Sequence, residues 1–293
     1  MGTLVRAIAQ EGGAVCYAID STDIVAEAER IHETSAVVTA ALGRLITAAS
    51  LMGAMLKGEE DSLTLRITAD GPIGSVIAAA DAEGNVKGYA QNSVVEIPLK
   101  SNGKLDVSGA LGKNGHLYVI RDSGAGEPYV GLVPLRSGEV AEDIAGYFAD
   151  SEQVPTVCAL GVLVGPDLTV QAAGGYILQL LPGAAEEEIS AVEAAAAAMP
   201  PVTSLLAGGA DAGELARRAL AGLDPEILDS RPVEYRCACT RERVERALIS
   251  LGPRELEAMA REDGQAEVSC HFCRRQYRFS KSEILDLAKR NGG

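Results

Sequence analysis

Positive charge is scarce in this sequence. Its 293 residues include 26 lysines and arginines against 41 aspartates and glutamates, which gives a net charge of −15. An acidic chain repels phosphate backbones, so a nucleic acid is a poor partner for the protein as a whole. The shortage is uneven, because residues 1–231 carry 14 basic and 31 acidic side chains whereas residues 232–293 carry 12 and 10. The net charge is therefore −17 for residues 1–231 and +2 for residues 232–293.

Histidines and phosphate-binding loops are also scarce. The chain has three histidines, and neither His32 nor His116 has a nucleophile or a metal-spaced partner close in sequence. A catalytic triad or a zincin motif therefore cannot be built around them from the sequence. The glycines at 71–74 and 174–175 fit neither a Walker loop nor a dinucleotide-binding loop. We expect a protein that is not an enzyme and has no ATP site.

A leader peptide and a clear membrane span are missing too. The sequence shows no signal peptide or processing site, which predicts a cytoplasmic protein. Residues 36–56 form one long, mostly apolar stretch. Arg44 lies near its middle, where a charge costs about 2.5 to 3.5 kcal/mol on insertion scales. We predict that this stretch is a buried helix and that the protein has no membrane partner.

Four of the six cysteines form two close pairs near the C-terminus, Cys237-Ala238-Cys239 and Cys270-His271-Phe272-Cys273. Four thiolates that converge in this way suit Zn²⁺, which prefers tetrahedral sulfur ligands at about 2.3 Å. The second pair has the spacing of a zinc knuckle. In the first pair, an extended backbone would turn both sulfurs to one side, since side chains return to the same face every second residue. We predict one zinc ion per chain, with His271 as a turn residue rather than a ligand.

The other two cysteines have a different setting. Cys16 and Cys158 lie in apolar, strand-like segments, and we expect both to be buried, inert thiols.

Residues 232–293 are short and polar, and a unit of this size usually needs a metal or disulfides to fold. A structural zinc site contributes about 10 to 16 kcal/mol of apparent folding free energy at neutral pH. Removal of the metal should therefore unfold the segment. The spacing leaves two roles open. A permanently closed structural site is the usual role for four cysteines, whereas a redox switch follows if oxidants attack the ligand thiolates and eject the metal.

The alternation of apolar residues predicts an α+β fold with a mainly antiparallel sheet and packed helices. Strands are expected at 3–10, 14–20, 62–69, 74–80, 86–91, 116–121, 129–135, 156–164 and 169–180, and helices at 21–33, 35–57 and 137–150. We predict a core domain at 1–181 and a C-terminal zinc-binding domain at 232–293. The latter should contain helices at 240–250 and 253–262, a hairpin around the second cysteine pair, and a last helix that Ser280 and Glu283 cap.

Between these two domains, residues 182–231 are rich in alanine and glutamate. Both residues favour helix, but alanine buries little apolar area, so we expect helices that form readily and dock weakly. This segment is predicted to be a helical linker. Together with the zinc-dependent segment that follows it, it suggests that the C-terminal domain clamps the linker over an apolar face of the core domain.

The sequence resembles the redox-regulated bacterial heat shock chaperones, also called the 33 kDa chaperonin family, along nearly its whole length. The similar segments include 32–35, 39–44, 51–53, 56–61, 70–74, 84–86, 127–129, 137–143, 151–153, 173–176 and the two cysteine pairs with their thirty-residue gap.

This resemblance implies an ATP-independent holdase that binds unfolding proteins under oxidative and heat stress. In the reduced state Cys237, Cys239, Cys270 and Cys273 would bind zinc and the protein would be inactive. Peroxide with heat, or hypochlorous acid, would form the Cys237-Cys239 and Cys270-Cys273 disulfides, release zinc and unfold the linker. Oxidised chains would form homodimers, and clients would pass to ATP-driven foldase chaperones.

The residues alone leave two other classes of protein possible. A zinc-ribbon nucleic-acid-binding protein is suggested by 274–279, where arginines alternate with aromatic residues beside the second cysteine pair. A thiol oxidoreductase is the other alternative, although no strand-helix-strand unit precedes Cys270.

Overall fold

The computed structural model describes residues 1–290, so the last three residues of the predicted C-terminal domain, 291–293, lie outside it. The chain divides into two compact units, Met1–Arg236 and a second unit that begins at Cys237. The first unit therefore contains both the predicted core domain and the predicted linker.

The first unit contains ten strands and seven helices. They are β1 (Gly2–Ile8), β2 (Ala14–Asp20), α1 (Thr22–His32), α2 (Ala36–Gly53), β3 (Ser62–Ala69), β4 (Ser75–Asp81), β5 (Val86–Ala90), α3 (Val107–Leu111), β6 (Gly115–Asp122), β7 (Tyr129–Pro134), α4 (Ala141–Tyr147), β8 (Thr156–Val164), β9 (Val170–Leu180), α5 (Glu186–Ala198), α6 (Val202–Ala207), α7 (Ala212–Ala219) and β10 (Glu226–Val233). A π-helical turn at Phe148–Glu152 follows α4.

The strands form two five-stranded sheets in which every pair is antiparallel. The first sheet has the order β10-β1-β2-β9-β8, and the second has the order β5-β4-β3-β6-β7. The predicted α+β class with a mainly antiparallel core is confirmed. β10 and α3 were not predicted. β10 is rich in charged residues and has a proline near its end, so its sequence alone does not indicate a strand. It forms a strand because it pairs with β1.

Helix α2 contacts strands of both sheets and forms the centre of the main core. Of its 18 residues, only Ala36 and Arg44 are not buried. Its small residues allow this close approach: an added Cβ on Gly43 would lie 2.6 Å from Cγ1 of Val25 and 2.9 Å from Cγ2 of Val162. The helix is apolar and long enough to pass as a membrane span, yet 89% of it is buried inside the fold. The predicted buried helix is confirmed.

The helix predicted at 137–150 is shorter in the structure, where α4 begins at Ala141. The side chain of Asp143 is the reason. Its Oδ1 atom accepts hydrogen bonds from the amides of Arg136, Ser137 and Gly138, and its Oδ2 atom accepts one from Val140. These bonds hold 136–140 in a loop, and Val140 has a positive φ of 67°.

Helices α5, α6 and α7 pack on the opposite face of the first sheet from α2, and build a second apolar cluster there. Leu215, Ala216 and Leu220 of this segment are fully buried against residues such as Val5 and Cys16 of the sheet. Alanine-rich α5 contributes least, with Val192 and Ala195 as its buried apolar side chains. One polar contact adds to its attachment, since buried Glu188 accepts a hydrogen bond of 2.9 Å from the Gly13 amide.

Arg44, the charge within α2, is paired with Glu139. Its Nη1 atom lies 2.7 Å from Oε2 of Glu139, and Lys100 binds the other oxygen of the same carboxylate. Burial alone would raise the pKa of Glu139, but the hydrogen bonds from Lys100 and Arg44 outweigh it and hold the pKa below its usual value. The ionised carboxylate therefore stabilises the folded state, and this contribution is lost as the pH falls through the lowered pKa.

We predict that Glu139→Gln lowers the free energy of unfolding by about 1 to 2 kcal/mol at pH 7, because it leaves Arg44 without its anion and Lys100 with only the more distant Asp106, at 3.8 Å. The difference in unfolding free energy between the variant and wild type should narrow as the pH falls from about 4.3, where the unfolded carboxyl becomes protonated, through the lowered pKa of the folded carboxyl. Urea unfolding from pH 7 to about pH 3 measures this change. Glu142→Gln, at an exposed position of the same helix, is the control. An equal loss in both variants would contradict the assignment.

Candidate metal centre

The second unit contains its own hairpin and three helices. They are α8 (Arg241–Ile249), α9 (Pro253–Glu262), β11 (Gln265–Ser269), β12 (Gln276–Ser280) and α10 (Lys281–Arg290). The predicted hairpin and helices are present, and the predicted capping box is formed, with Ser280 and Glu283 exchanging hydrogen bonds. Its core is small, with ten buried apolar residues in the described part of the unit, and Leu256, Phe279 and Ile284 are the most buried of its large side chains.

The four cysteines predicted as ligands meet in this unit. Cys237 and Cys239 enter it directly from the first unit, and Cys270 and Cys273 lie in the turn between β11 and β12. All four sulfurs lie within 4.8 Å of one another. The Sγ atoms of Cys237 and Cys270 are 3.7 Å apart, and those of Cys239 and Cys273 are 3.2 Å apart. A zinc ion with four sulfurs at 2.3 Å has edges of about 3.8 Å, so the donor set fits this ion.

The turn of the second pair is closed by its own backbone. The Cys270 amide donates to the Arg275 carbonyl at 2.9 Å, and the Arg274 amide donates to the Cys270 carbonyl at 2.8 Å. Arg274 adopts a left-handed conformation with φ of 55°. This geometry brings the Arg275 amide to the Cys273 sulfur, where its hydrogen bond favours the thiolate.

Tyr277 contacts the first cysteine pair through its hydroxyl group. It is 8% exposed, and its hydroxyl lies 3.1 Å from the Cys239 carbonyl oxygen and 3.2 Å from the Cys239 sulfur. Burial would raise the pKa of Cys239, but hydrogen bonds from Tyr277 and the neighbouring thiols lower that pKa to about 7. Burial raises the pKa of Cys237, and burial together with the neighbouring thiols raises the pKa of Cys273 to about 12. The hydrogen bonds from Tyr277 and the neighbouring thiols favour the thiolate form of Cys239.

Arginines surround this cluster and fix the chain around it. Arg243 donates to the carbonyl of Ala238, between the first two cysteines, at 3.1 Å. The guanidinium of Arg241 lies 4.2 Å from the centre of the Phe279 ring and 2.7 Å from Glu283. The sequence alone did not identify Tyr277 or Arg243 as neighbours of the cysteines. The alternation of Tyr277 with Phe279 in β12 indicates only that both side chains lie on the same face of the strand.

The remaining cysteines and His271 lie outside this group. His271 is not among the clustered donors, which within the described residues are the four cysteines alone. Cys16 is buried in β2, and burial raises its pKa, as an inert thiol requires. Cys158 is half-buried on β8, where burial also raises its pKa.

The fold and the cysteine cluster together define a class: an α+β body joined to a small unit that is built around four clustered thiols able to hold a metal ion. Comparison with known proteins agrees. The Hsp33 protein family matches residues 2–280. A 33 kDa chaperonin of Lachnoclostridium phytofermentans is 48% identical over 288 residues and one of Geobacillus sp. (strain WCH70) is 45% identical over 284, each match covering at least 96% of both chains.

A solved structure gives the same result. The crystal structure of the 33 kDa chaperonin (heat shock protein 33 homolog) from Thermotoga maritima matches with a TM-score of 0.90 and 35% identity, over 99% of this chain and 98% of that one. The chain therefore belongs to the Hsp33 family of chaperones, as the resemblance of its motifs predicted.

We predict that the reduced wild-type protein binds one zinc ion per chain and that Cys239→Ser abolishes tight binding, because three thiolates and a weak hydroxyl cannot complete the site. Zinc released by a thiol-blocking mercurial, measured with a colorimetric indicator, gives the stoichiometry. Cys158→Ala removes a thiol outside the cluster and should still bind one equivalent. Retention of one tightly held equivalent by Cys239→Ser would show that the four sulfurs are not the ligand set.

Proposed function

We propose that this chaperone is an ATP-independent holdase that is inactive when reduced and active when oxidised. Its four thiols are the observation that carries the proposal, because the groups that fit a metal ion are also the groups that oxidants attack. When bound, zinc would supply a tetrahedral link between the two cysteine pairs. In its described part, the unit around them has a core of only ten buried apolar residues, so losing this link should unfold it.

Oxidation would remove two electrons from each pair of thiols and form one S–S bond, while peroxide accepts the electrons and becomes water. We propose that the bonds are Cys237-Cys239 and Cys270-Cys273, as in the family the sequence resembles. Two short sulfur distances, 3.7 Å and 3.2 Å, instead connect one pair with the other. Peptide mapping of the oxidised chain therefore decides the pairing.

The helices at 182–231 are the segment that we expect to respond. Their attachment to the first sheet combines a small apolar cluster with the Glu188 contact, and α5 is mostly exposed. The C-terminal unit follows this segment directly through β10. Residues 234–236 are held by Val86, whose amide donates to the Glu234 carbonyl and whose carbonyl accepts from the Arg236 amide. Unfolding that starts at Cys237 would therefore pull first on the contacts of 234–236 and then on β10.

Release of α5 to α7 would expose the apolar face of the first sheet. That face includes Val5, Ala7 and Tyr176, which these helices now cover. Apolar surface of this kind binds unfolding polypeptides without the need for a defined sequence. We further propose a cytoplasmic location, homodimers of the oxidised chain, and transfer of clients to ATP-driven foldases. The proposed cycle of oxidation, client binding and client transfer requires no catalysis by this chain.

A nucleic-acid-binding role has less support. Arg278, one of the basic residues beside the cysteine turn, is paired with Glu267 at 2.7 Å. Arg275 and Arg278 lie in a segment of small net charge, and the whole chain is strongly acidic.

We predict that peroxide-treated protein prevents aggregation of a heat-unfolded client and that reduced protein does not, as measured by light scattering. Amides at 184–230 should lose protection from hydrogen exchange in the treated protein, because the helices detach. Equal protection before and after treatment would contradict the role of this segment, and equal scattering would contradict the redox switch.

We predict that Glu188→Ala shifts activation toward milder oxidation, because it removes the buried hydrogen bond that fixes α5 to Gly13. Such a bond to a charged group contributes about 1.5 to 3 kcal/mol. The variant should suppress aggregation at a lower peroxide dose than wild type. Glu187→Ala, at an exposed position of the same turn, is the matched control and should behave like wild type. Identical dose curves for both variants would overturn the prediction.

A further inference from the structure

The outer strands of the two sheets differ in how well they are protected. A sheet edge presents unpaired backbone N–H and C=O groups that attract other strands, and proteins usually block it with charge, proline, short length or a covering segment. Here β10 carries Asp229, Arg231 and Pro232. β5 has five residues, and its outer side is met by residues 234–236. β7 has six residues and ends at Pro134.

β8 lacks each of these protections. Its nine residues, TVCALGVLV, include no charge and no proline. It pairs with β9 on one side, and among the described residues no strand pairs with it on the other. Its side chains are half-buried along almost the whole strand, and Leu163 is 38% exposed. A long, apolar and open edge of this kind is a template for an added strand.

A groove of about 650 Å³ follows this edge, and residues 158–164 line it consecutively. Arg44 of α2 and Ala141 and Glu142 of α4 line one side. Met199 and Thr203 line the other, beside α6. The contact with α6 is close, since an added Cβ on Gly161 would lie 2.7 Å from Cγ2 of Thr203. The edge of β8 therefore lies between two walls.

We propose that β8 is a client-binding edge, at which an extended segment of an unfolded polypeptide adds to the first sheet as a sixth strand. This inference rests on the proposed holdase function and adds the site and the mode of recognition. Backbone pairing suits a holdase because every polypeptide offers the same N–H and C=O groups. Alternate side chains of the added strand would face the charged wall of α2 and α4 on one side, and on the other the side that α6 vacates when it detaches.

The walls also decide between possible occupants. The wall of α2 and α4 belongs to the main core and would stay when α5 to α7 detach, whereas the wall of Met199 and Thr203 would leave with α6. A second copy of this chain paired edge to edge would bring its own wall of α2 and α4 to the same face of the sheet, so these two walls would collide before the strands could pair. A single extended segment has no such walls. The groove therefore favours an unfolded client over a β8 to β8 dimer.

The test uses the full chain, before and after peroxide treatment, and a fluorescent nine-residue peptide of alternating valine and threonine. We expect peptide binding to protect amides at 156–164 from hydrogen exchange in the treated chain. Leu163→Lys places a charge at the edge and should weaken binding at least about tenfold in fluorescence anisotropy. Leu132→Lys, at a 53% exposed position on the β7 edge, should bind like wild type.

A second peptide keeps the side chains but carries N-methyl groups at every interior amide, which removes its backbone donors. Wild-type protein should bind it at least about tenfold more weakly, as expected for strand addition. Equal binding of both peptides, or protection elsewhere without protection at 156–164, overturns the inference. A concentration-dependent dimer that protects 156–164 without peptide also overturns it, in favour of a second copy.

The aggregation assay separates this inference from the proposed function. If treated wild-type protein suppresses aggregation but the peptide leaves 156–164 unprotected, the holdase stands and the β8 site is wrong. If the peptide protects 156–164 but the treated protein does not suppress aggregation, the edge binds strands and the holdase function is wrong.

Discussion

The contact on which the rest of this account depends is the convergence of four thiol sulfurs within 4.8 Å of one another. Two of them come from the chain that leaves β10, and two come from the turn between β11 and β12. The unit around them buries ten apolar residues in its described part, which is little for an independent fold. A metal held by these sulfurs would therefore supply much of the folding free energy of the unit, and the same sulfurs are its most oxidisable atoms.

The first unit shows how a local loss of structure can expose a surface. Its main core surrounds α2 and does not involve α5 to α7, which cover the other face of the first sheet. If these helices detached, the core around α2 would keep its own contacts. The face that they cover and the open edge of β8 belong to the same sheet, so detachment would leave one continuous region with both apolar side chains and backbone groups available.

Much of this organisation could be predicted from sequence. The apolar alternation located nine of the ten strands of the first unit, and the cysteine spacing located the cluster of four thiols. What could not be predicted depends on contacts distant in sequence. Asp143 shortens α4 through amides that form a loop only in the folded chain, and β10 becomes a strand only beside β1. Tyr277 reaches Cys239 across 38 residues. The division into core, linker and C-terminal domain stays a prediction, since the linker helices lie within the first compact unit.

The central claim is that the C-terminal fold requires an ion held by Cys237, Cys239, Cys270 and Cys273. Hydrogen exchange of the reduced protein, with zinc bound and after removal of zinc by a chelator, tests it most directly. The account predicts that amides of β11, β12 and α10 lose their protection when the metal is removed, while those of α2 keep theirs. Unchanged protection of β11, β12 and α10 in the metal-free, reduced protein would contradict it.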